Sequence, residues 1–251
     1  MGSVVGPNNN INSNYNISNL VYSGLTFYYD AGRYYSYPNA GSTWTDLSPS
    51  NKTVTFYNQG GSPYTGKPPG SPTYSKTNYG EFLFDGINDF GIYNSFSLTS
   101  QVTLSAWVKC SFTGEAGILS HCNGGPVNLA YTITSGKMGY WYYDGTWRQV
   151  YGTNSVNTNE WKYLVWAKTG TNMKTYINNT LDANLTLNTD MTGTVRSIGS
   201  KWGPCYSDSG SGDSYSEMFS GYMAILMLHS RALSTDEIGQ NWTNLRSRFK
   251  I

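Results

Sequence analysis

Charge is scarce in this sequence and of neither sign in excess: 12% of the 251 residues are charged, with 16 Lys and Arg against 15 Asp and Glu, for a net charge of +1. Neutralising phosphates takes clustered cations, and no basic stripe is present, so a nucleic-acid partner is excluded. Cysteine is rare too, at three residues, which excludes a disulfide scaffold. Cys110 and Cys122 flank an expected hairpin and are the pair that could approach each other. The two histidines, His121 and His229, sit in no zinc-helix or nucleophile pattern and read as structural. The longest strongly apolar run, Met223 to Leu228, is far short of the roughly 20 residues a membrane span requires, so no insertion into a bilayer is expected. Residues 1–20 carry neither a basic nor an apolar segment of the secretory kind.

Aromatic residues are what the chain has in abundance: 22 Tyr, 8 Trp and 9 Phe, beside 28 Gly. Aromatics suit a pleated surface and the small polar residues supply turns, so strands and turns are expected throughout. Strand signals fall at 25–31, 54–57, 81–84, 90–93, 102–109, 117–120, 129–134, 137–143, 147–151, 161–168, 173–177, 180–184, 196–199 and 218–228. Their spacing is that of a two-sheet antiparallel sandwich. Ser135-Gly136 and Asp144-Gly145 predict tight hairpins that make 129–151 a three-strand meander. One helix is expected over about 234–249. Ser234 and Glu237 form a capping box ahead of an apolar stripe of Ile238, Trp242, Leu245 and Phe249, with Trp242 expected to be largely buried against the sandwich. Residues 1–22 are polar and aperiodic and read as an N-terminal arm. Residues 23–251 read as a single domain.

Several segments in order resemble a known family. They are Gly24 to Gly32, Trp44-Thr45-Asp46-Leu47-Ser48, Phe82 to Phe90, Leu104 to Lys109, Asn159 to Val165, Lys174 to Asn179 and Arg231 to Ile238. Together they are similar to the laminin-G-like, concanavalin A-like lectin and glucanase jelly rolls. The Tyr-Asp-Ala-Gly opening and the Trp-x-Asp-Leu-Ser turn resemble in particular the domains on tailed-phage and large-virus structural proteins. The resemblance implies an all-β jelly-roll sandwich with one C-terminal helix, glycan or protein binding, and in many members calcium at one sandwich edge. The acidic residue often found after the Gly-containing strand is replaced here by Tyr222-Met223-Ala224.

Glycoside hydrolysis needs two carboxyls roughly 5 to 9 Å apart. None of Glu81, Glu115, Glu160, Glu217 and Glu237 has a second acid two residues away, the next position on the same face of a strand, so the chain is expected not to be an enzyme. Asp85, Asn88 and Asp89 share a tight turn and are the candidate calcium ligands; the alternative is a turn whose side chains bond their own backbone. Asp208 and Asp213 belong to a Ser- and Gly-rich loop that could join such a site. Tyr140, Trp141, Tyr142, Tyr143, Trp147 and Tyr151 crowd one hairpin and are the candidate carbohydrate- or partner-binding residues. With period two, one pair of the 140–143 run faces the core and the other faces out. The expected function is a non-enzymatic virion structural or decoration protein. Its arm would join it to other virion proteins, and its sandwich would face outward at the virion surface and contact host glycans. The alternative is an extracellular or cell-surface carbohydrate-binding module with a calcium-assisted site.

Overall fold

The computed structural model describes residues 17–56, 71–121, 129–202 and 216–251. Among the described residues eighteen strands and one α-helix follow in chain order. The first nine strands are β1 (Leu25–Asp30), β2 (Thr43–Trp44), β3 (Val54–Phe56), β4 (Thr73–Ser75), β5 (Glu81–Asp85), β6 (Gly91–Leu98), β7 (Gln101–Lys109), β8 (Glu115–Ser120) and β9 (Leu129–Thr134). They are followed by β10 (Lys137–Tyr143), β11 (Trp147–Ser155), β12 (Trp161–Thr169), β13 (Asn172–Ile177), β14 (Thr180–Thr186), β15 (Gly193–Ile198), β16 (Ser200–Trp202), β17 (Ser216–Met218), β18 (Ser220–His229) and the helix α1 (Thr235–Leu245). A front sheet runs β11-β10-β9-β8-β15-β6-β3-β2 and a back sheet runs β14-β13-β12-β7-β18-β5-β4, with β1 also on β18. Pairing is antiparallel throughout, as the meander signals require. The expected jelly-roll sandwich is what forms.

Most expected strands are present, some longer than the pattern indicated. The last expected strand is divided by a break at Phe219 into β17 and β18, and the helix ends at Leu245, with a 3-10 turn over Arg246–Phe249. The Ser135-Gly136 turn has both residues at positive φ, 51° and 74°, as a two-residue hairpin demands. The second hairpin is one residue longer than expected: Tyr143 pairs with Trp147, leaving Asp144, Gly145 and Thr146 in the loop.

Two apolar layers hold the sheets. Between the sheets lie Leu104, Ala106 and Val108 of β7, Leu164 and Trp166 of β12, and Leu226 and Leu228 of β18. On the outer side of the back sheet a second cluster joins Trp107, Tyr163, Val165, Ile225 and Met227 to Ile238, Leu245 and Phe249 of the C-terminal segment. β7, β12 and β18 are thus covered on both faces. This is why 223–228 reads as an unbroken apolar run rather than an alternation.

The helix starts as expected. Ser234 Oγ accepts from the Glu237 amide at 3.3 Å, and Glu237 Oε2 accepts from the Ser234 amide at 2.9 Å. Arg231 grips the same carboxylate at 2.8 and 2.6 Å, holding Glu237 at a pKa of about 2. Trp242 departs from the expectation: it is only half-buried, stacked on Trp107 and, at 6.2 Å, on Tyr163.

The expected arm is also shorter than 1–22. Leu20 and Val21 are buried in the outer cluster. The Val21 amide donates to Asn241 Oδ1 at 2.8 Å and its carbonyl faces His229 Nε2 at 2.9 Å. Burial pushes the His229 pKa down to about 4, so a neutral ring makes this contact. Leu20 and Val21 thus belong to the domain; residues 1–16 lie outside the described residues.

A buried ionic knot ties the C-terminal turn to the first strand. Arg248 and Asp30 pair at full burial. The same guanidinium donates to the carbonyls of Asn78, at 2.7 Å, and Gly80. Asp30 also accepts from the Tyr28 hydroxyl at 2.7 Å and the Gly32 amide at 2.8 Å. Asp46 of the Trp-x-Asp-Leu-Ser turn is buried likewise and accepts from the amides of Tyr28 and Ser48, each at 2.8 Å.

Candidate functional site

The aromatic hairpin β10–β11 forms one edge of the front sheet. Its alternation places Tyr140 and Tyr142 in the core, against Tyr131, at 0% and 1% exposure. These two residues are corrected from binding candidates to packing: their rings face the interior because Met138, Tyr140 and Tyr142 occupy the inward positions of β10.

The other four remain on the outward side of the sheet, but not equally. Tyr143, Trp147 and Tyr151 are 37%, 47% and 40% exposed. Trp141 is half-buried and has the Lys201 ammonium 3.4 Å from its ring centroid, a cation–π contact that occupies that face. Tyr143 and Trp147 pair across the strands with ring centroids 5.1 Å apart, and Trp147 meets Trp141 edge-on at 6.2 Å. Tyr151 sits four residues along β11, about 13 Å from Trp147 at a strand's rise. It lies opposite Gly139, with Gln149 between them on the same side. Burial and the charge of Glu115 raise the Tyr151 phenol pKa above its ordinary value.

Lys201 was not legible as a site residue. It is 2% exposed, and its ammonium lies 2.9 Å from Glu115 Oε2 and 3.1 Å from Glu217 Oε2. Thr134 Oγ1 donates to the other oxygen of Glu115 at 3.0 Å. The arrangement arises because the small β16–β17 ribbon crosses the outside of β8. Gly117 makes that crossing possible: a Cβ there would stand 2.1 Å from the Ser200 carbonyl oxygen. Glu115 and Glu217 are a hundred residues apart in the chain, so no strand-spacing search could join them. The only sequence signal was a glycine in the middle of an apolar strand, the mark of close backbone approach.

The Asp85–Asp89 turn is closed by its own backbone. Asp85 Oδ1 accepts from the amides of Ile87 at 2.7 Å and Asn88 at 3.2 Å, and Asp89 Oδ2 accepts from the Asp85 amide at 2.9 Å. Burial pushes the Asp89 carboxyl pKa up to about 6. One oxygen of each carboxylate thus accepts from amides within the turn, as in a turn whose side chains bond their own backbone. Among the described residues no group of three or more His, Cys, Asp or Glu side chains could hold a metal. Asp208, Asp213, Cys122 and Cys205 lie outside the described residues. Cys110 is buried and free among the described residues, and burial drives its thiol up to about 12.

A sequence model of the concanavalin A-like lectin/glucanases superfamily matches residues 85–239. Among curated proteins none matches. Several solved structures share the fold at low identity. Domain 4 of the extracellular arabinanase AbnA from Geobacillus stearothermophilus, in complex with arabinotriose, is 16% identical at a TM-score of 0.60, over 86% of this chain and 97% of that one. The binding domain of botulinum neurotoxin serotype D is 14% identical at a TM-score of 0.58, over 89% of this chain and 52% of that one. A Trypanosoma rangeli sialidase in complex with sialic acid is 14% identical at 0.56, over 91% of this chain and 34% of that one.

Proposed function

We propose that this chain, which belongs to the concanavalin A-like lectin/glucanase superfamily, is a non-catalytic glycan-binding domain whose ligand lies along β11 on the outward side of the front sheet. The observation that carries the reading is the exposed series Tyr143, Trp147 and Tyr151, held on a rigid hairpin by the packing of Tyr140 and Tyr142 beneath it. Aromatic faces offer apolar area with polar edges, which suits the faces and hydroxyl rims of sugar rings. Arabinotriose in the arabinanase domain is in keeping with such a ligand.

Catalysis is not part of the reading. Glu115 and Glu217 approach closely enough to be considered as a hydrolytic pair, but the Lys201 ammonium occupies the space between them, where a glycosidic oxygen would have to enter. Calcium is not part of it either, because the Asp85 and Asp89 carboxylates are taken up by amides. A bound ion at 100 times its dissociation constant would add about 2.7 kcal/mol to stability. We therefore expect superimposable melting curves in calcium and in chelator; a lower melting temperature on chelation would restore the metal.

No helix among the described residues is long and apolar enough to cross a membrane. Of the two settings expected from the sequence, the free extracellular module is favoured over the arm-attached virion decoration protein. The reason is that Leu20 and Val21 of the expected arm, with Ile17 against them, pack into the domain's own outer cluster. Binding of labelled protein to a glycan array tests the function. At least one oligosaccharide should bind, and Trp147→Ala should weaken it roughly tenfold or more, as loss of an aromatic anchor does, with the melting curve unchanged. Binding that survives both Trp147→Ala and Tyr151→Ala would move the site elsewhere.

A further inference from the structure

The outward side of the aromatic hairpin is a short ladder of paired residues. Tyr143 is opposite Trp147, Trp141 opposite Gln149, and Gly139 opposite Tyr151. Successive pairs on one side of a sheet are two residues apart, so each of these rungs stands about 7 Å from the next. The first rung is two exposed rings in contact. At the third, Gly139 brings no side chain: a Cβ there would stand 3.6 Å from Cδ1 of Tyr151, so the exposed tyrosine ring lies beside bare backbone. The middle rung differs in kind. Trp141 is half-buried, with Lys201 over its ring, and Gln149 beside it is half-buried with a side-chain amide that makes no hydrogen bond among the described residues.

We infer that this face reads an internal run of three units in a linear oligosaccharide, with Gln149 as the residue that sets specificity; the inference rests on the face being the glycan site. The first and third units stack on the rings of the outer rungs, and the middle unit exchanges hydrogen bonds with the Gln149 amide, which offers two donors and an acceptor to sugar hydroxyls. Neither end of the ladder is walled. In the hairpin loop a Cβ at Gly145 would meet nothing within 4 Å. Past the third rung the register shifts between Gly139 and Lys137, and the amides of Thr153, at 3.1 Å, and Asn154, at 2.8 Å, turn to Asp182 of β14. The bulge ends the regular platform after Tyr151, while Thr153, Asn154 and Ser155 remain exposed. A longer chain therefore runs past both ends without meeting a further rung.

The test is titration calorimetry with linear glucose, mannose, galactose, xylose and arabinose oligosaccharides, each as a series from monosaccharide to hexasaccharide. In whichever series binds, affinity should rise roughly tenfold or more up to the trisaccharide, as an added aromatic anchor gives, and then level. Reducing the terminal aldehyde of the hexasaccharide to an alditol should leave its affinity unchanged, since internal units are what is read. Gln149→Leu, checked for an unchanged melting curve, should weaken the trisaccharide roughly three- to tenfold, the value of one hydrogen bond, and leave the monosaccharide unaffected. The length series on the parent protein decides the matter without that variant. A monosaccharide bound as tightly as the trisaccharide, affinity that keeps rising to the hexasaccharide, or loss of binding on end reduction would each overturn the inference, and continued dependence on Trp147 would leave the site standing. Binding by none of the series would remove the site and the inference together.

Discussion

Replacing Arg248 with Met should lower stability by about 3 to 5 kcal/mol, because it leaves the fully buried Asp30 carboxylate with only the more distant Arg33, at 3.9 Å, and the carbonyls of Asn78 and Gly80 without their donor. For a chain of this size that is a fall of about 10 °C in melting temperature. The double variant Asp30→Asn with Arg248→Met should recover part of the loss, since it removes the uncompensated charge as well as its partner. Thermal melts of the three proteins decide it. A single variant within about 1 kcal/mol of the parent would show that water reaches the Asp30 site.

Trp107→Ala should be comparably damaging, at about 3 to 5 kcal/mol. Trp107 is fully buried at the centre of the outer cluster, with ring centroids 4.1 Å from Phe249, 5.2 Å from Tyr163 and 5.3 Å from Trp242. No neighbouring side chain can refill the space without lifting the helix from the back sheet. Trp242→Ala removes a half-exposed ring and should cost distinctly less. Melts of the two variants side by side, with near-ultraviolet circular dichroism to report on the stacked indoles, check the order. A loss at Trp242 equal to that at Trp107 would mean that the helix, not the sheet, organises the cluster.

Local rules made much of this legible. The Ser135-Gly136 turn, the Ser234–Glu237 capping box and the ordered family segments all act within a few residues of one another, and each appears where the pattern places it. The aromatic hairpin was half legible: alternation divides Tyr140 and Tyr142 from Trp141 and Tyr143, but only the sheet partner tells which pair is inside. What escaped the sequence involves residues distant in the chain. Val21 meets Asn241 and His229, Arg248 meets Asp30, and Lys201 collects Glu115 and Glu217 through the crossing ribbon. Each of these joins lone polar residues whose significance lies in burial, and burial has no local signature. The end of the arm was misplaced for the same reason: Leu20 and Val21 are too short a run to show periodicity, and the side chains that bind Val21 come from the far end of the chain.

That anchoring of Val21 fixes the direction in which the domain is displayed. The chain enters the described body at Ile17 on the helix-covered side of the back sheet, and its last turn closes on the same side, through Phe249. The aromatic hairpin is on the opposite outer surface, across the whole thickness of the sandwich. Ile17 and Phe249 therefore mark a surface of the domain opposite its aromatic face. Immobilisation through Ile251 should leave that face turned toward the solution, whereas coupling through Lys137 should obstruct it.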